Sequence, residues 1–147
     1  MDFEVRTLRA TDARLASELF LFFQVDDGIR NPTSASGEYL TRILSRSDFH
    51  VIVAISGEKV IGGLVAYELV RYKEENAEMF LFEMGVEESF RRRGIGTALI
   101  EELKKICREK GITDMFVDAL DDNIPAKALY SSTGGKAEKV SEFTYKI

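Results

Sequence analysis

The chain has 147 residues, of which 45% are hydrophobic and 31% charged, and this composition suits one domain with a single packed core. Its net charge of −5 argues against a nucleic-acid partner, because such proteins carry a basic footprint. The sequence lacks an apolar run near the roughly 18 residues that span a bilayer, so no membrane partner is expected. The single cysteine, Cys107, allows no internal disulfide and favours the reducing cytoplasm.

The first predicted elements are one strand and two helices. Residues 3–9 alternate apolar and polar side chains, as a half-exposed strand does. Thr11 is a predicted cap for a helix whose apolar residues recur at helical spacing up to Phe23. A polar loop over residues 26–37 follows, and Ser36 is the predicted cap of a second, shorter helix.

Three strand-like runs occupy the middle of the chain. Residues 51–55 and 60–70 flank a Ser-Gly-Glu-Lys sequence, which is typical of a hairpin turn. Residues 78–86 are apolar at almost every position, which indicates a central strand covered on both faces. These runs predict that a sheet lies at the centre of the fold.

The last predicted elements alternate between helix and strand. They are a helix over 94–110, a strand over 115–120, a short helix over 125–133 and a closing strand over 142–146. The full order predicts one domain over residues 1–147, of α/β or α+β class, with a mixed sheet packed against helices.

The turn before the long helix carries the clearest signal for a ligand. Its residues are Arg91, Arg92, Arg93, Gly94, Ile95, Gly96, Thr97 and Ala98. A helix N-terminus presents unpaired N–H groups, glycine lets an anion come close, and arginine adds forked donors. The segment therefore predicts a seat for a phosphorylated ligand. The alternative is a plain strand-to-helix turn with a solvated basic rim, because the pattern is neither a P-loop nor a dinucleotide fingerprint.

The spacing Arg91-x-x-Gly94-x-Gly96 resembles the Gln/Arg-x-x-Gly-x-Gly/Ala segment of the Gcn5-related N-acetyltransferase (GNAT) family. The strand end Glu83-Met84-Gly85-Val86 precedes it, and Asn123-x-x-Ala126-x-x-x-Tyr130 follows it in the family's order. The resemblance covers essentially the whole chain. It implies the GNAT fold, with a mixed central sheet of about six to seven strands flanked by about four helices. It also implies acetyl-coenzyme A as cosubstrate and a small-molecule amine as acceptor.

Further segments are similar to the aminoglycoside 3-N-acetyltransferase branch of that family. They are residues 39–44, 66–70, 79–86, 128–130 and 138–143. This similarity implies acetylation of the 3-amino group of an aminoglycoside, and hence antibiotic resistance. The chain departs from the branch where Glu83 replaces an Asp, where Asn123-Ile124 replaces an acidic pair, and where Gly135 replaces a Phe.

Glu83 is the candidate general base. It is the one charged residue in the run 79–86, and strand alternation predicts that it shares a face with Met79 and Leu81. Apolar surroundings raise the pKa of a carboxyl group, which suits a base that works near neutral pH. The structural alternative is a glutamate paired with an arginine or lying in water at a strand edge.

The resemblance implies roles for the remaining site residues. Tyr130 is the acid that protonates the departing thiolate, and the amine attacks the thioester directly. The pantetheine arm is bound by the main chain of Met84, Gly85 and Val86 and by the side chain of Asn123. Asn123 is also a predicted helix cap before a proline.

Acidic side chains are predicted to form a wall for a polycationic substrate, although loops commonly carry such charge. The wall residues are Asp26, Asp27, Glu74, Glu75, Asp118, Asp121 and Asp122. The candidate substrate-binding residues are Asp26, Asp27, Glu83, Asp118 and Asp121. No metal is expected, because the sequence has no Cys/His cluster at ligand spacing, and Cys107 is read as a small core residue. The family also forms dimers, so a homodimer paired through the C-terminal strand is one option. The rival functions are acetylation of a polyamine, a small metabolite or a protein amine, and coenzyme A sensing without catalysis.

Overall fold

The computed structural model describes residues 2–147, which form one five-stranded sheet and four α-helices. The strands are β1 (Glu4–Thr7), β2 (Phe49–Ser56), β3 (Lys59–Val70), β4 (Ala77–Val86) and β5 (Met115–Val117). The helices are α1 (Ala13–Asp26), α2 (Gly37–Leu44), α3 (Ile95–Glu109) and α4 (Ile124–Ser132). Short 3-10 turns over Ala10–Asp12 and Glu88–Phe90 precede α1 and α3.

The strands follow the chain order across the sheet, from β1 to β5. β1 to β4 pair antiparallel, whereas β5 runs parallel to β4, so the sheet is mixed as the sequence predicts. The predicted hairpin is confirmed, since Ser56 pairs with Lys59 and Gly57 takes a positive φ of 63° in the turn. The predicted class is confirmed, but the sheet has five strands rather than six or seven.

Helices cover the two faces of the sheet, and each face has its own apolar core. α3 packs on one face, where Leu81 of β4 meets Leu99 and Leu103 in a fully buried cluster. α1 and α2 pack on the other face, where Leu19 and Leu40 belong to a second cluster. Strand alternation sends successive side chains to the two faces, so the central strands are apolar on both sides.

The helix ends agree with the predicted caps at two positions and differ at a third. The Ser36 hydroxyl accepts from the backbone N–H of Tyr39 at 3.1 Å, which confirms it as the cap of α2. The Asn123 side chain likewise caps α4. Thr11 is not a cap, because the chain first makes a 3-10 turn and Asp12 takes the capping position of α1.

The predicted closing strand over residues 142–146 is wrong. Every residue from 136 to 147 is exposed and none is assigned to a strand or helix. A strand requires a neighbour with which to exchange backbone hydrogen bonds. β5 is the last strand of the sheet, and no part of residues 2–147 pairs with its outer edge. Among the helices of the described residues, none has the length and apolar character needed to cross a membrane.

Candidate active site

A β-bulge at Phe82 decides which way Glu83 points. The register of the β3–β4 ladder shifts between Leu81 and Glu83, which leaves Phe82 as an extra residue. Glu83 pairs with Val65 and therefore lies on the face covered by α1 and α2. The prediction that Glu83 shares a face with Met79 and Leu81 is wrong, because those two side chains belong to the core on the α3 face.

Glu83 is half-buried and lies beside two carboxylates from the end of α1. Burial raises the pKa of its carboxyl group, and the charge and hydrogen bond of Asp27 and the charge of Asp26 raise it further. The negative end of the α1 dipole points to the same place. We call Glu83, Asp26 and Asp27 the acidic cluster, and its field favours a cationic ligand such as a protonated amine.

The other two predicted substrate-binding residues, Asp118 and Asp121, are not among the groups that raise the pKa of Glu83. Asp118 is exposed just beyond the end of β5. Asp121 is also exposed, and its carboxylate accepts a hydrogen bond from the Lys127 ammonium at 3.1 Å. The Lys127 ammonium thus offsets the charge of Asp121, and the acidic wall stays a prediction.

A gap separates β4 from β5 beyond their short ladder. β5 pairs with β4 only from Met79 to Leu81, whereas β4 continues to Val86. Along the rest of β4 no strand from residues 2–147 lies on that side, so the backbone near Met84 can bind an elongated ligand there. A Cβ on Gly85 would lie 3.2 Å from the Phe22 ring, so the glycine makes room for α1. The predicted main-chain contact of Gly85 with pantetheine stays a prediction.

Tyr130 lies on α4 and packs partly buried against the core on the α3 face. Burial raises the pKa of its phenol, so the hydroxyl keeps its proton at neutral pH. Glu83 and Tyr130 therefore lie on opposite faces of the sheet. The gap between β4 and β5 is the place where one ligand can contact both faces.

The start of α3 has the geometry of an anion site. Gly94 caps the helix with a positive φ of 82°, and Arg92 also has a positive φ, of 64°. The first helical bond runs from the N–H of Ala98 to the carbonyl of Gly94 at 3.0 Å. The N–H groups of Ile95, Gly96 and Thr97 thus precede the helical ladder. Such unpaired N–H groups bind phosphate oxygens without a side chain.

Two residues of this segment also serve the packing. A Cβ on Gly96 would lie 2.9 Å from Leu129 Cδ2, so the glycine lets α4 approach α3 closely. The Ile95 side chain is buried in the core, and only its backbone can meet a ligand. Gly96 was predicted for the approach of a phosphate alone, and the helix contact is a second reason for it.

Arg91 and Arg93 have different surroundings. The Arg91 Nε donates to the carbonyl of Val86 at 2.9 Å, and its Nη2 lies 3.7 Å from the carboxylate of Asp26. Arg91 therefore links the end of β4 to the acidic cluster. The Arg93 guanidinium lies over the Phe90 ring at 6.0 Å.

The side chain of Asn123 accepts from the N–H of Ala126 at 3.1 Å, and its predicted contact with pantetheine stays a prediction. Within residues 2–147, no three His, Cys, Asp or Glu side chains come together to hold a metal ion. Cys107 is buried, and burial raises the pKa of its thiol, which leaves it protonated. It is a core residue, as predicted.

Sequence reasoning missed a group of rings beside the acidic cluster. We call it the aromatic row: Phe49, Tyr67, Phe80, Phe82 and Phe116. Strand pairing aligns Tyr67 with Phe80 and Phe80 with Phe116. The signal in the sequence is an aromatic residue on each of three predicted strands and Phe49 just before a fourth. Their alignment depends on a register that the sequence does not reveal.

Comparison with known proteins identifies the family of the chain. The acetyltransferase (GNAT) family matches residues 14–134, and the chain belongs to this family. An aminoglycoside acetyltransferase from an uncultured soil metagenomic sample superposes with a TM-score of 0.93 at 33% identity, covering 100% of this chain and 99% of that one. A second such enzyme, in complex with sisomicin, has a TM-score of 0.93 at 27% identity, covering 99% and 96%.

The matches with curated relatives cover smaller shares of this chain and of each relative. The aminoglycoside N(6')-acetyltransferase type 1 of Acinetobacter haemolyticus is 28% identical over 111 residues, which are 75% of this chain and 72% of that protein. Other curated relatives are longer, and the matches cover 23%, 50% and 40% of the length of three of them. The chain thus belongs to the GNAT family by sequence and fold, and aminoglycoside acetyltransferases are among its structural neighbours.

Proposed function

We propose that this protein transfers the acetyl group of acetyl-coenzyme A to an amine of an aminoglycoside, at the 3-amino position of the central ring. The observation that carries the proposal is the placement of Glu83 and Tyr130 on opposite faces of a sheet that is open between β4 and β5 beyond Leu81. In this proposal residues 1–147 act as one N-acetyltransferase domain in the reducing cytoplasm, where such an enzyme would confer antibiotic resistance.

The proposed reaction is a direct transfer with no covalent intermediate on the protein. Glu83 removes a proton from the bound ammonium group, directly or through water, and the neutral nitrogen attacks the thioester carbonyl carbon. As the new C–N bond forms, the C–S bond breaks, and Tyr130 gives its phenolic proton to the departing sulfur. A backbone N–H between Met84 and Val86 stabilises the negative charge on the carbonyl oxygen.

The start of α3 supplies the proposed binding site for the pyrophosphate of the cosubstrate. Its backbone donors do not depend on a side-chain rotamer, so the N–H groups of Ile95, Gly96 and Thr97 carry most of the interaction. Arg92 and Arg93 add positive charge at the rim, where contacts to the pyrophosphate or the 3′-phosphate are proposed. Arg91 already contacts Val86 and Asp26, and it holds this turn beside the acidic cluster.

The choice of an aminoglycoside rests on charge and on the relatives. The acidic cluster favours an acceptor that carries several ammonium groups. Two structural neighbours above 25% identity are aminoglycoside acetyltransferases, and one of them was solved with sisomicin. The 3-amino position rests on the sequence resemblance, whereas the Acinetobacter haemolyticus relative is a 6'-enzyme.

A second candidate acceptor is a polyamine, a small metabolite or a protein amine. It is favoured by the lack of negative charge near α4, because Asp121 is paired with Lys127 and Asn123-Ile124 brings no charge. A coenzyme A sensor without catalysis is the third candidate. The presence of both Glu83 and Tyr130 counts against a sensor, which needs neither an acid nor a base.

A homodimer is also part of the proposal, formed through residues 136–147. Phe143 and Tyr145 are 79% and 83% exposed, and they alternate with polar residues up to Ile147. An arm with this pattern can add a strand to the outer edge of β5 in a second copy, which would bury these side chains. Light scattering on the full chain tests the pairing. Two chains per particle in the wild type and one chain in Phe143→Lys/Tyr145→Lys support it, and a monomeric wild type contradicts it.

The release of free thiol from acetyl-coenzyme A tests the function. The panel contains aminoglycosides, linear diamines and short peptides, and the site of acetylation is read by NMR of the product. Turnover of aminoglycosides at the 3-amino group is the expected result. Turnover of another amine alone would mean that this amine, and not an aminoglycoside, is the acceptor. Binding of acetyl-coenzyme A with no turnover of any amine would favour the coenzyme A sensor.

A further inference from the structure

Three large aromatic side chains lie exposed on the same face as Glu83. Phe82 is 56% exposed, Tyr67 39% and Phe116 38%. α1 and α2 pack mainly against β2 and β3, which leaves this end of the face, over β4 and β5, open. Contiguous exposed apolar groups of this kind mark places where a protein binds a ligand or a partner.

The exposed rings form one continuous surface. The rings of Tyr67 and Phe82 meet edge to face with centroids 5.6 Å apart, and those of Phe82 and Phe80 lie 5.5 Å apart. Phe80 stacks on Phe116 at 4.5 Å with nearly parallel planes. The surface crosses from β3 to β5, two strand spacings or about 10 Å, which matches a small ring-bearing molecule. We call Tyr67, Phe82 and Phe116 the aromatic platform.

The platform borders the acidic cluster directly. Tyr67 lies two residues from Val65, the partner of Glu83 on the β3–β4 ladder, and Phe82 is the residue before Glu83. Burial and the nearby groups Tyr39 and Glu83 raise the pKa of Tyr67, so its phenol stays neutral. A neutral aromatic surface therefore meets a group of carboxylates at one edge.

We propose that the aromatic platform binds the ring body of the acceptor, so that the enzyme selects amines carried on a saturated ring over open-chain amines of equal charge. This inference rests on the proposed acetyl transfer and names the substrate class of that site. The acidic cluster attracts ammonium groups of either kind of amine. The aromatic faces of the platform offer contact area for the C–H groups of the ligand and attract a second ammonium group. Only a ligand with a compact saturated ring presents its C–H groups and its second ammonium group to the platform together.

A comparison of two diamines tests the selection. One is the cis isomer of diaminocyclohexane with amino groups on alternate ring carbons, and the other is diaminopropane with terminal amino groups. The wild type is expected to show a lower KM for the cyclic diamine. Tyr67→Ala and Phe82→Ala are each expected to raise that KM about three- to tenfold. The KM for diaminopropane and for acetyl-coenzyme A should stay unchanged.

Two controls separate the platform from general damage. Tyr72→Ala removes another exposed tyrosine, 91% exposed and outside the aromatic row, and should leave both KM values unchanged. Tyr67→Phe keeps the ring and should retain the preference for the cyclic diamine, because the contact depends on the aromatic face.

Three results would overturn the inference. The first is an unchanged KM for the cyclic diamine in both alanine variants. The second is an equal rise in KM for both diamines together with a lower kcat. The third is a change of oligomeric state in those variants. The last result would mean that a second copy covers the platform. If the wild type acetylates no amine, the proposed function fails by itself. NMR shifts of the Tyr67 ring on titration with the cyclic diamine then decide the platform separately, and an absence of shifts would contradict it.

Discussion

The two faces of the sheet are both lined with apolar side chains, but helices cover them to different extents. On the α3 face, Leu81, Leu99 and Leu103 are fully buried. On the opposite face, α1 and α2 leave the aromatic platform and the half-buried Glu83 open to solvent. The covered face thus supplies stability, and the open half of the other face supplies the binding surface.

One inserted residue connects these two roles. Without the bulge at Phe82, regular alternation would place Glu83 on the α3 face beside Leu81. There a carboxylate would be buried among apolar side chains with no access to an acceptor. The bulge turns Glu83 towards Asp27 on the open face, which gives the candidate base both a raised pKa and contact with solvent.

The largest expected effect is on the candidate base. Glu83→Gln keeps the shape of the side chain but cannot accept a proton, so kcat should fall about 100- to 10,000-fold. The affinity for acetyl-coenzyme A, measured by calorimetry, should stay unchanged. Glu78→Gln on the same strand is the matched control and should keep full activity. Equal rates for Glu83→Gln and the wild type would remove Glu83 from the mechanism.

Because helices cover the two faces to different extents, substitutions on the two faces should change the free energy of unfolding by different amounts. Leu99→Ala opens a cavity on the α3 face and should lower the free energy of unfolding by about 2–5 kcal/mol. Phe82→Ala on the open face should lower it by about 1 kcal/mol at most. Urea denaturation of both variants measures the two values. Equal losses would mean that something covers the open face in solution.

A variant of Tyr130 tests whether a residue on the α3 face takes part in the same reaction as Glu83 on the opposite face. Tyr130→Phe keeps the packing on the α3 face but removes the phenolic proton, and kcat should fall about 100-fold, the lower end for an acid catalyst. Tyr72→Phe is the control and should have no effect. An acetyl donor with a better thiol leaving group should recover part of the rate, and a lack of recovery would speak against Tyr130 as the acid.

The smallest effect concerns the contact between α3 and α4. Gly96→Val places side-chain atoms against Leu129 and should cost about 1–3 kcal/mol of stability. The added Leu129→Ala change should restore much of this loss. If the double variant regains stability but still fails to bind acetyl-coenzyme A, Gly96 also serves the approach of the phosphate. If binding returns with stability, its role is the helix contact alone.

The sequence predicted the features that depend on neighbouring residues. The caps at Ser36 and Asn123 and the turn at Gly57 follow from local chemistry and are confirmed. Glu83 was identifiable as a lone charge in an apolar strand. Its face was not, because a bulge depends on how two strands pair and leaves no local signal at Phe82.

Two other features depended on contacts between distant parts of the chain. The alternating pattern over residues 142–146 indicates a strand, but alternation does not say whether a neighbouring strand is present. The alignment of the rings in the aromatic row depends on the register of four strands at once. Local patterns therefore identified the candidate base, whereas the surface beside it emerged only from the fold.

The pH dependence of kcat/KM tests the central claim most directly, which is that Glu83 works as a base on the open face beside Asp27. Only the ionised carboxylate accepts a proton, so kcat/KM should rise with pH through the raised pKa of Glu83. Asp27→Asn removes a neighbouring charge, and with the same acceptor the rise should move to lower pH. An identical profile in the wild type and Asp27→Asn, or the same rise retained in Glu83→Gln, would contradict the account.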